Sequence, residues 1–218
     1  MPEKLNTALR RGLAGLLLML TLVAGEARAE VRMTFWSHDT STYFPHAFFT
    51  LKGTVDSTGE VVDTSYGFTL NSMNPAALFA SVKGHIDVTA KTYIRVSDAQ
   101  FTLTISDAQY AAVKALVAEW GAPTSRWNLQ RRNCVHFVAE AARRAGLTVI
   151  EDKKLMKKPR SFTRSLIPLN AARVTEINLD GKAYWAAHPE AEVFGVPDKI
   201  GGSVLGRRVK GLPDDRER

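Results

Sequence analysis

The stretch Asn133-Cys134-Val135-His136-Phe137-Val138 opens a helix that the sequence predicts up to Gly146. Asparagine is a favoured N-cap, the apolar spacing that follows is helical, and glycine is typical of helix ends. Cys134 therefore falls in the first turn, where unpaired backbone N–H groups and the helix dipole stabilise an anion. The pKa of a cysteine at such a position falls from about 8.5 to between roughly 3.5 and 7.5, so we expect a nucleophilic thiolate.

The rest of the chain predicts strands first and helices later. Alternating residues indicate strands at 31–36, 46–52, 60–71, 86–96 and 101–105, and the turn Asp56-Ser57-Thr58-Gly59 joins two of them in a hairpin. A short helix is predicted at 75–84, and an amphipathic helix lies between Ser106 and Gly121. The expected fold class is α+β, with a small antiparallel sheet packed against helices.

The first 29 residues have the organisation of a secretion signal. Basic Lys4, Arg10 and Arg11 precede an apolar run at 13–24 and the small-x-small sequence Ala27-Arg28-Ala29. A membrane span needs about 20 apolar residues, which disfavours the alternative of an uncleaved anchor. We expect cleavage after Ala29 and a secreted, periplasmic protein without a membrane span.

Cys134 is the only cysteine of the 218 residues, so it has no partner for an internal disulfide. In an oxidising compartment a single cysteine is buried and inert, paired with another chain, or free and reactive. The alternative to a nucleophile is therefore a buried cysteine in the helix core.

The formal net charge of the chain is +7, and most of the excess lies late in the sequence. The basic residues cluster at Lys153, Lys154, Lys157, Lys158, Arg160 and Arg164, and again at Arg207, Arg208 and Lys210. Such clusters attract anionic envelope polymers or lipid headgroups, although a solvated basic face without a partner is the simpler interpretation. A nucleic-acid partner is not expected.

A nucleophilic cysteine needs a base, and the chain has five histidines. His136 lies two positions after Cys134 and points about 200° away on a helix, so it is expected to pack or cap locally. His46 opens a hairpin strand directly after Pro45 and is the candidate base. His38, in a polar loop predicted at 37–43, is the reserve candidate. For each histidine taken alone, an ordinary surface or core role is the simpler interpretation.

His46 on a strand, followed by Asn133-Cys134-Val135-His136-Phe137, resembles the circularly permuted papain-like thiol hydrolases. This broad group includes the lecithin:retinol acyltransferase-like proteins and is related to the NlpC-type cell-wall peptidases, in which the cysteine comes first. The resemblance covers residues 46–146. It implies a papain-like catalytic domain at 30–165, followed by a C-terminal extension at 166–218 that we expect to be disordered from about residue 197.

The resemblance also implies a mechanism. The Cys134 thiol attacks an amide, thioester or ester carbonyl, and N–H groups at the start of its helix stabilise the oxyanion. A third polar group usually orients the imidazole. If Ser57 and Thr58 form the hairpin tip, Thr69 lies opposite His46 with Asn71 on the same face, and both are candidates. A one-residue slip would move both away, so a dyad without a third residue stays open.

No cofactor is expected, because the sequence has neither metal-ligand spacing nor a phosphate-binding glycine loop. Three functions remain open. The first is a periplasmic amidase or peptidase that acts on cell-envelope peptides. The second is a lipid-directed acyltransferase or thioesterase that uses the basic segment 153–164 as a headgroup-facing surface. The third is a non-catalytic envelope-binding module of the same fold, in which Cys134 is buried and its pKa is raised.

Overall fold

The structure, a computed structural model, describes residues 30–39, 45–72 and 75–199. Its strands are β1 (Val31–His38), β2 (His46–Thr54), β3 (Val61–Leu70), β4 (Val82–Asp87), β5 (Asp98–Ile105), β6 (Arg126–Trp127) and β7 (Thr175–Asp180). All seven form one antiparallel sheet in the order β6-β4-β3-β2-β1-β5-β7. The predicted secretion signal and the basic residues Arg207, Arg208 and Lys210 lie outside the described residues.

Five α-helices of the described chain pack against this sheet, which confirms the α+β class. They are α1 (Lys91–Ile94), α2 (Asp107–Trp120), α3 (Cys134–Arg144), α4 (Pro159–Leu169) and α5 (Gly181–Ala187). Helix α2 begins with a capping box between Ser106 and Gln109 and ends at Gly121, as the sequence predicts. None of the helices in the described ranges is long and apolar enough to cross a membrane.

Alternation along the central strands gives the sheet two buried faces, which we name after two neighbours on β2. The Phe49 face also carries Phe35 and Phe101 and packs against α2, α3 and α4. The Phe48 face also carries Trp36 and is covered by α1, α5 and the segment 191–196. A strand directs successive side chains to opposite faces, so adjacent residues of β2 belong to different cores.

The predicted hairpin is confirmed, and so is its register. Phe48 pairs with Gly67, and Thr54 pairs with Val61 at the turn. The same register places Thr69 opposite His46, so the one-residue slip does not occur. Because the pairing period is two, this register also decides which side chains of β3 share a face with His46.

Two predicted elements differ from the structure. The strand predicted at 86–96 is wrong, because β4 ends at Asp87 and the one-turn helix α1 follows. Tyr93 and Ile94 of α1 pack into the Phe48 face, and the carbonyls of Pro197 and Asp198 accept hydrogen bonds from its first N–H groups. The helix predicted at 75–84 is limited to a 3₁₀ turn at Pro75–Leu78.

The region after residue 165 continues the same architecture. Helix α4 runs without a break across the expected domain boundary, and β7 pairs with β5 at the edge of the sheet. In α5, Tyr184 and Trp185 contact Trp36 edge to face at 5.6 and 6.0 Å. Residues 166–191 therefore contribute a strand and a helix to the layers that surround β1 and β2.

Candidate active site

The start of α3 is held in place by Asn133. Its side-chain oxygen accepts hydrogen bonds from the N–H groups of Val135 and His136, at 2.8 and 3.2 Å. Its amide nitrogen donates to the carbonyls of Leu129 and Met156, both at 2.8 Å. Asn133 is 2% exposed and uses both ends of its amide. This residue therefore caps the helix and also anchors it to two loops.

The Cys134 thiol is buried at the first position of α3. The backbone N–H groups of Ala47, Val135 and Cys134 donate to its sulfur, but burial outweighs these contacts and raises the pKa of the thiol to about 11. The expected thiolate is therefore not the resting form. The helix start lowers the pKa of a cysteine only where desolvation does not oppose it more strongly.

His46 is the first residue of β2 and is 1% exposed. Its ring stacks on Phe48 with centroids 5.9 Å apart and meets Tyr93 edge to face at 6.3 Å. The Nε2 atom lies over Gly67, where any Cβ would overlap it. Burial, and then the nearby His38 and His85, lower the pKa of the imidazole to about 3, so His46 is neutral at pH 7.

The Cys134 sulfur reaches strand β2 at the residue that follows His46. The sulfur contacts the N–H of Ala47, which follows His46 in the chain. His46 lies on the Phe48 face and Cys134 belongs to the core of the Phe49 face, so the two groups approach from opposite sides of the sheet. Within the described ranges no hydrogen bond joins them, and Nε2 of His46 has no hydrogen-bond partner.

The reserve base, His38, lies on β1 and not in the predicted polar loop, because the strand extends two residues beyond Trp36. It pairs directly with His46 across the two strands. Its Nδ1 is 2.9 Å from the carbonyl of Val96, an arrangement in which Nδ1–H donates. Its ring centroid is 4.9 Å from that of Tyr93. Both candidate bases therefore share one aromatic pocket.

The two candidate orienting residues have different surroundings. Thr69 is buried in β3 and pairs with His85 of β4. Asn71 is exposed, and its side-chain oxygen lies 2.8 Å from Nδ1 of His85. The amide oxygen accepts, so His85 donates this hydrogen bond. Asn71 is therefore engaged by His85, whereas Thr69 remains at the register position opposite His46.

Tyr93 is a site residue that the sequence pattern does not predict. It is fully buried between the rings of His38 and His46, and burial followed by the charge of Cys134 raises its pKa well above 10. The phenol therefore stays neutral at pH 7. No local signal identifies it, because Tyr93 lies in a segment whose alternation predicts a strand.

The basic segment 153–164 is divided between exposed and paired residues. Arg160 forms ion pairs with Asp39, at 2.8 Å, and with Asp98, so it ties α4 to β5 and to the residue that follows β1. The exposed members are Lys153, Lys154, Lys157, Lys158 and Arg164. Within the described residues, His, Cys, Asp and Glu side chains do not form a group able to hold a metal ion.

Comparison with known proteins gives no relative of this chain. No family model, no curated protein and no solved structure matches it.

Proposed function

We propose that the chain is an exported cysteine hydrolase that cleaves amide bonds of cell-envelope peptides through an acyl-enzyme at Cys134. The site would correspond to a permuted papain-like core, in which the histidine strand precedes the cysteine helix. The observation that carries the proposal is the thiol at the start of α3, bound by Ala47 N–H directly after His46, whose buried Nε2 has no partner.

The unpartnered Nε2 supports a chemical role for His46. More than about nine in ten buried polar groups have a hydrogen-bond partner, since an unpaired one costs about 1–3 kcal/mol. Because residue 67 is a glycine, Nε2 of His46 has room beside it, and any larger side chain at this position would overlap Nε2. A neutral imidazole with a free nitrogen is the form that accepts a proton from a thiol.

The reaction begins from a neutral pair, because the pKa of the thiol is about 11 and that of the imidazole about 3. As the sulfur attacks the carbonyl carbon, Nε2 of His46 takes the thiol proton. The oxyanion then receives hydrogen bonds from backbone N–H groups at the start of α3. When the C–N bond breaks, His46 gives its proton to the leaving amine and a thioester remains on Cys134.

Water completes the cycle. His46 removes a proton from the attacking water, the thioester breaks, and the products are a carboxylic acid and the free thiol. The thiol and imidazole lie on opposite sides of β2 in the structure, so the first step requires the His46 side chain to turn at the start of the strand toward the side of Cys134. Tyr93 and Phe48 pack on the imidazole and act as positioning residues.

A second candidate is a non-catalytic envelope-binding module. The observation in its favour is the raised pKa of Cys134, since a buried neutral thiol is usually inert. This candidate predicts that His46 has no influence on the chemistry of Cys134. Both candidates agree on the fold and differ only in whether the thiol forms an acyl adduct.

Acylation by p-nitrophenyl acetate, followed by intact-protein mass spectrometry, separates these candidates. We expect one acetyl group on Cys134 in the mature wild-type chain and none in Cys134→Ser. His46→Gln should slow acylation by about 10²-fold or more, the usual contribution of a general base. His188→Gln, at an exposed position away from the site, is the control and should react like the wild type. Equal rates in wild type and His46→Gln would support the non-catalytic module.

A further inference from the structure

A groove of about 520 Å³ lies beside the loop that leads into α3. Its polar lining consists of the three arginines Arg126, Arg131 and Arg132, together with Ser81, Asn128 and Gln130. We term it the arginine groove. None of its lining residues is acidic, so its charge is positive throughout.

Two of the arginines are held in defined positions. The guanidinium of Arg132 lies 3.8 Å from the centroid of the Trp120 ring, a cation–π contact. Arg126 donates a hydrogen bond to the carbonyl of Ser81. Lys157 adds a cation at the rim, where its Nζ donates to the side chain of Gln130 at 3.1 Å. The groove therefore gathers positive charge at little further entropic cost.

The arginines of the groove lack direct ion pairs within the described part of the chain, although the charge of Glu119 acts on Arg132. Arg126, Arg131 and Arg132 form no ion pair with any described carboxylate, whereas Arg143 and Arg144 pair with glutamates. The unpaired arginines leave their donors available in a concave site. Guanidinium groups bind carboxylate and phosphate in bidentate geometry, so the ligand that suits these side chains is an oxyanion.

The groove is also close to the proposed nucleophile. Asn128 and Arg132 exchange two backbone hydrogen bonds, at 2.9 and 3.0 Å, which closes the loop directly before Asn133. Arg132 is two residues from Cys134, so their Cα atoms are at most about 7 Å apart. A molecule with its carbonyl at Cys134 therefore needs only a short extension to reach the groove.

We propose that the arginine groove binds an oxyanion, carboxylate or phosphate, carried by the acyl substrate of Cys134. The inference rests on the proposed function and narrows its substrate to an anionic one. Arg131, Arg132 and Arg126 hold the anionic group while the start of α3 receives the carbonyl to be attacked.

The test is calorimetric titration of the mature Cys134→Ala chain, which separates binding from chemistry. The probes are N-acetylglutamate and inorganic phosphate, with N-acetylglutamine amide, in which both carboxylates are replaced by amides, as the neutral analogue. We expect both anions to bind and the analogue to bind at least about tenfold more weakly. Arg126→Gln with Arg131→Gln should weaken anion binding by at least about tenfold. Lys153→Gln with Lys154→Gln removes the same charge elsewhere and should leave binding unchanged.

Equal binding by the double arginine variant, or equal binding of acid and amide, would overturn the proposal. Arg131→Gln alone, at an exposed position, keeps the test valid if the double variant melts at a lower temperature. Sedimentation with phosphatidylglycerol vesicles identifies the source of the anion. If only the arginine variants lose vesicle binding, the groove binds a lipid phosphate. If the lysine variant loses vesicle binding equally, the attraction is a general one of the basic surface, and the proposed anion site in the groove is contradicted.

These outcomes separate the two proposals. If acylation of Cys134 fails but anions bind the groove, the proposed hydrolase is wrong and the oxyanion site stands. If acylation succeeds and the arginine variants bind anions like the wild type, the hydrolase stands and its substrate is not held through the groove.

Discussion

The two faces of the central sheet are buried to a similar extent but differ in chemistry. On the Phe49 face, aromatic rings pack on one another, with centroids 4.6 Å apart for Phe35 and Phe101 and 5.7 Å apart for Phe49 and Phe137. The Phe48 face buries polar groups among its rings, namely Thr34, His38, His46, Thr50, Ser65 and Thr69. Buried polar groups add no stability over apolar ones of similar shape, so packing alone does not explain this second face.

Most polar groups of the Phe48 face have hydrogen-bond partners, either side chains of the same face or backbone carbonyls. Trp36 donates to Thr50 at 3.0 Å, and the hydroxyl of Ser65 donates to the carbonyl of Thr89 at 3.1 Å. His46 is the exception on β2, since its Nε2 lacks a partner among the described residues. The exception lies at the end of the sheet where the thiol of Cys134 reaches Ala47. The comparison therefore predicts that substitutions on the Phe49 face change stability alone, whereas those around His46 also change thiol chemistry.

The largest effect is expected on the Phe49 face. Phe137→Ala removes a ring that packs on Phe49, Phe68 and Trp120, and should lower the free energy of unfolding by about 3–5 kcal/mol through lost contacts and a cavity. Urea unfolding followed by tryptophan fluorescence measures this change. Phe79→Ala is the control, because Phe79 is 87% exposed and its loss should change stability by less than about 0.5 kcal/mol. Similar losses in both variants would contradict the assigned core.

The parts of the fold that the sequence predicts are those decided by local chemistry. Ser106 and Asn133 cap their helices, and the turn after Val55 sets the hairpin register that aligns Thr69 with His46. The alternation at 86–96 predicts a strand where the structure has helix α1, because the four residues of α1 are stabilised by distant partners, the Phe48 face and the carbonyls of Pro197 and Asp198. Such contacts leave no periodic signal in the sequence.

The candidate site shows the same limit. Residue types and chain order predict Cys134 as the nucleophile and His46 as the base. The protonation state of each depends on its burial in the fold, which the sequence pattern does not reveal. The helix start predicts a lowered thiol pKa for Cys134, and desolvation in the folded chain reverses the direction. Tyr93 was missed because only the tertiary fold places it between His38 and His46.

The next effect is a pH dependence of the free energy of unfolding, which His46 on the Phe48 face causes. The folded pKa of His46, about 3, lies below its unfolded value of 6.5, so the unfolded chain binds the proton first. Stability is therefore lost as pH falls from 6.5 toward 3. At pH 5 this loss is about 2 kcal/mol relative to pH 7.

His46→Leu should remove most of this loss, because leucine fills a similar space and cannot be protonated. The measurement is urea unfolding at pH 7 and pH 5 for wild type, His46→Leu and the exposed-site control His188→Leu. The control should keep the wild-type difference between the two pH values. An equal difference in all three proteins would mean that His46 is solvated in the folded chain.

Two glycine substitutions compare the faces at matched positions. A Cβ at Gly67 would overlap Nε2 of His46, and one at Gly84 would overlap the Phe68 ring on the Phe49 face. Each alanine variant should lose about 1–3 kcal/mol by overpacking. Only Gly67→Ala displaces the imidazole, and a shift of about 1 Å lowers a catalysed rate by about 10²-fold. Acylation by p-nitrophenyl acetate should therefore slow in Gly67→Ala and stay at the wild-type rate in Gly84→Ala.

The smallest effect is expected for a polar pair on the Phe48 face, far along β1 from His46. Thr34 donates to the hydroxyl of Thr102 at 3.1 Å, and Thr102 donates in turn to the carbonyl of Met33. Thr34→Val leaves that second bond intact, so we expect a loss of less than about 1 kcal/mol in urea unfolding and an unchanged acylation rate. A slower rate would show that the polar groups of this face act on the thiol as a connected network. An unchanged rate confines the chemistry to the end of the sheet where β2 begins.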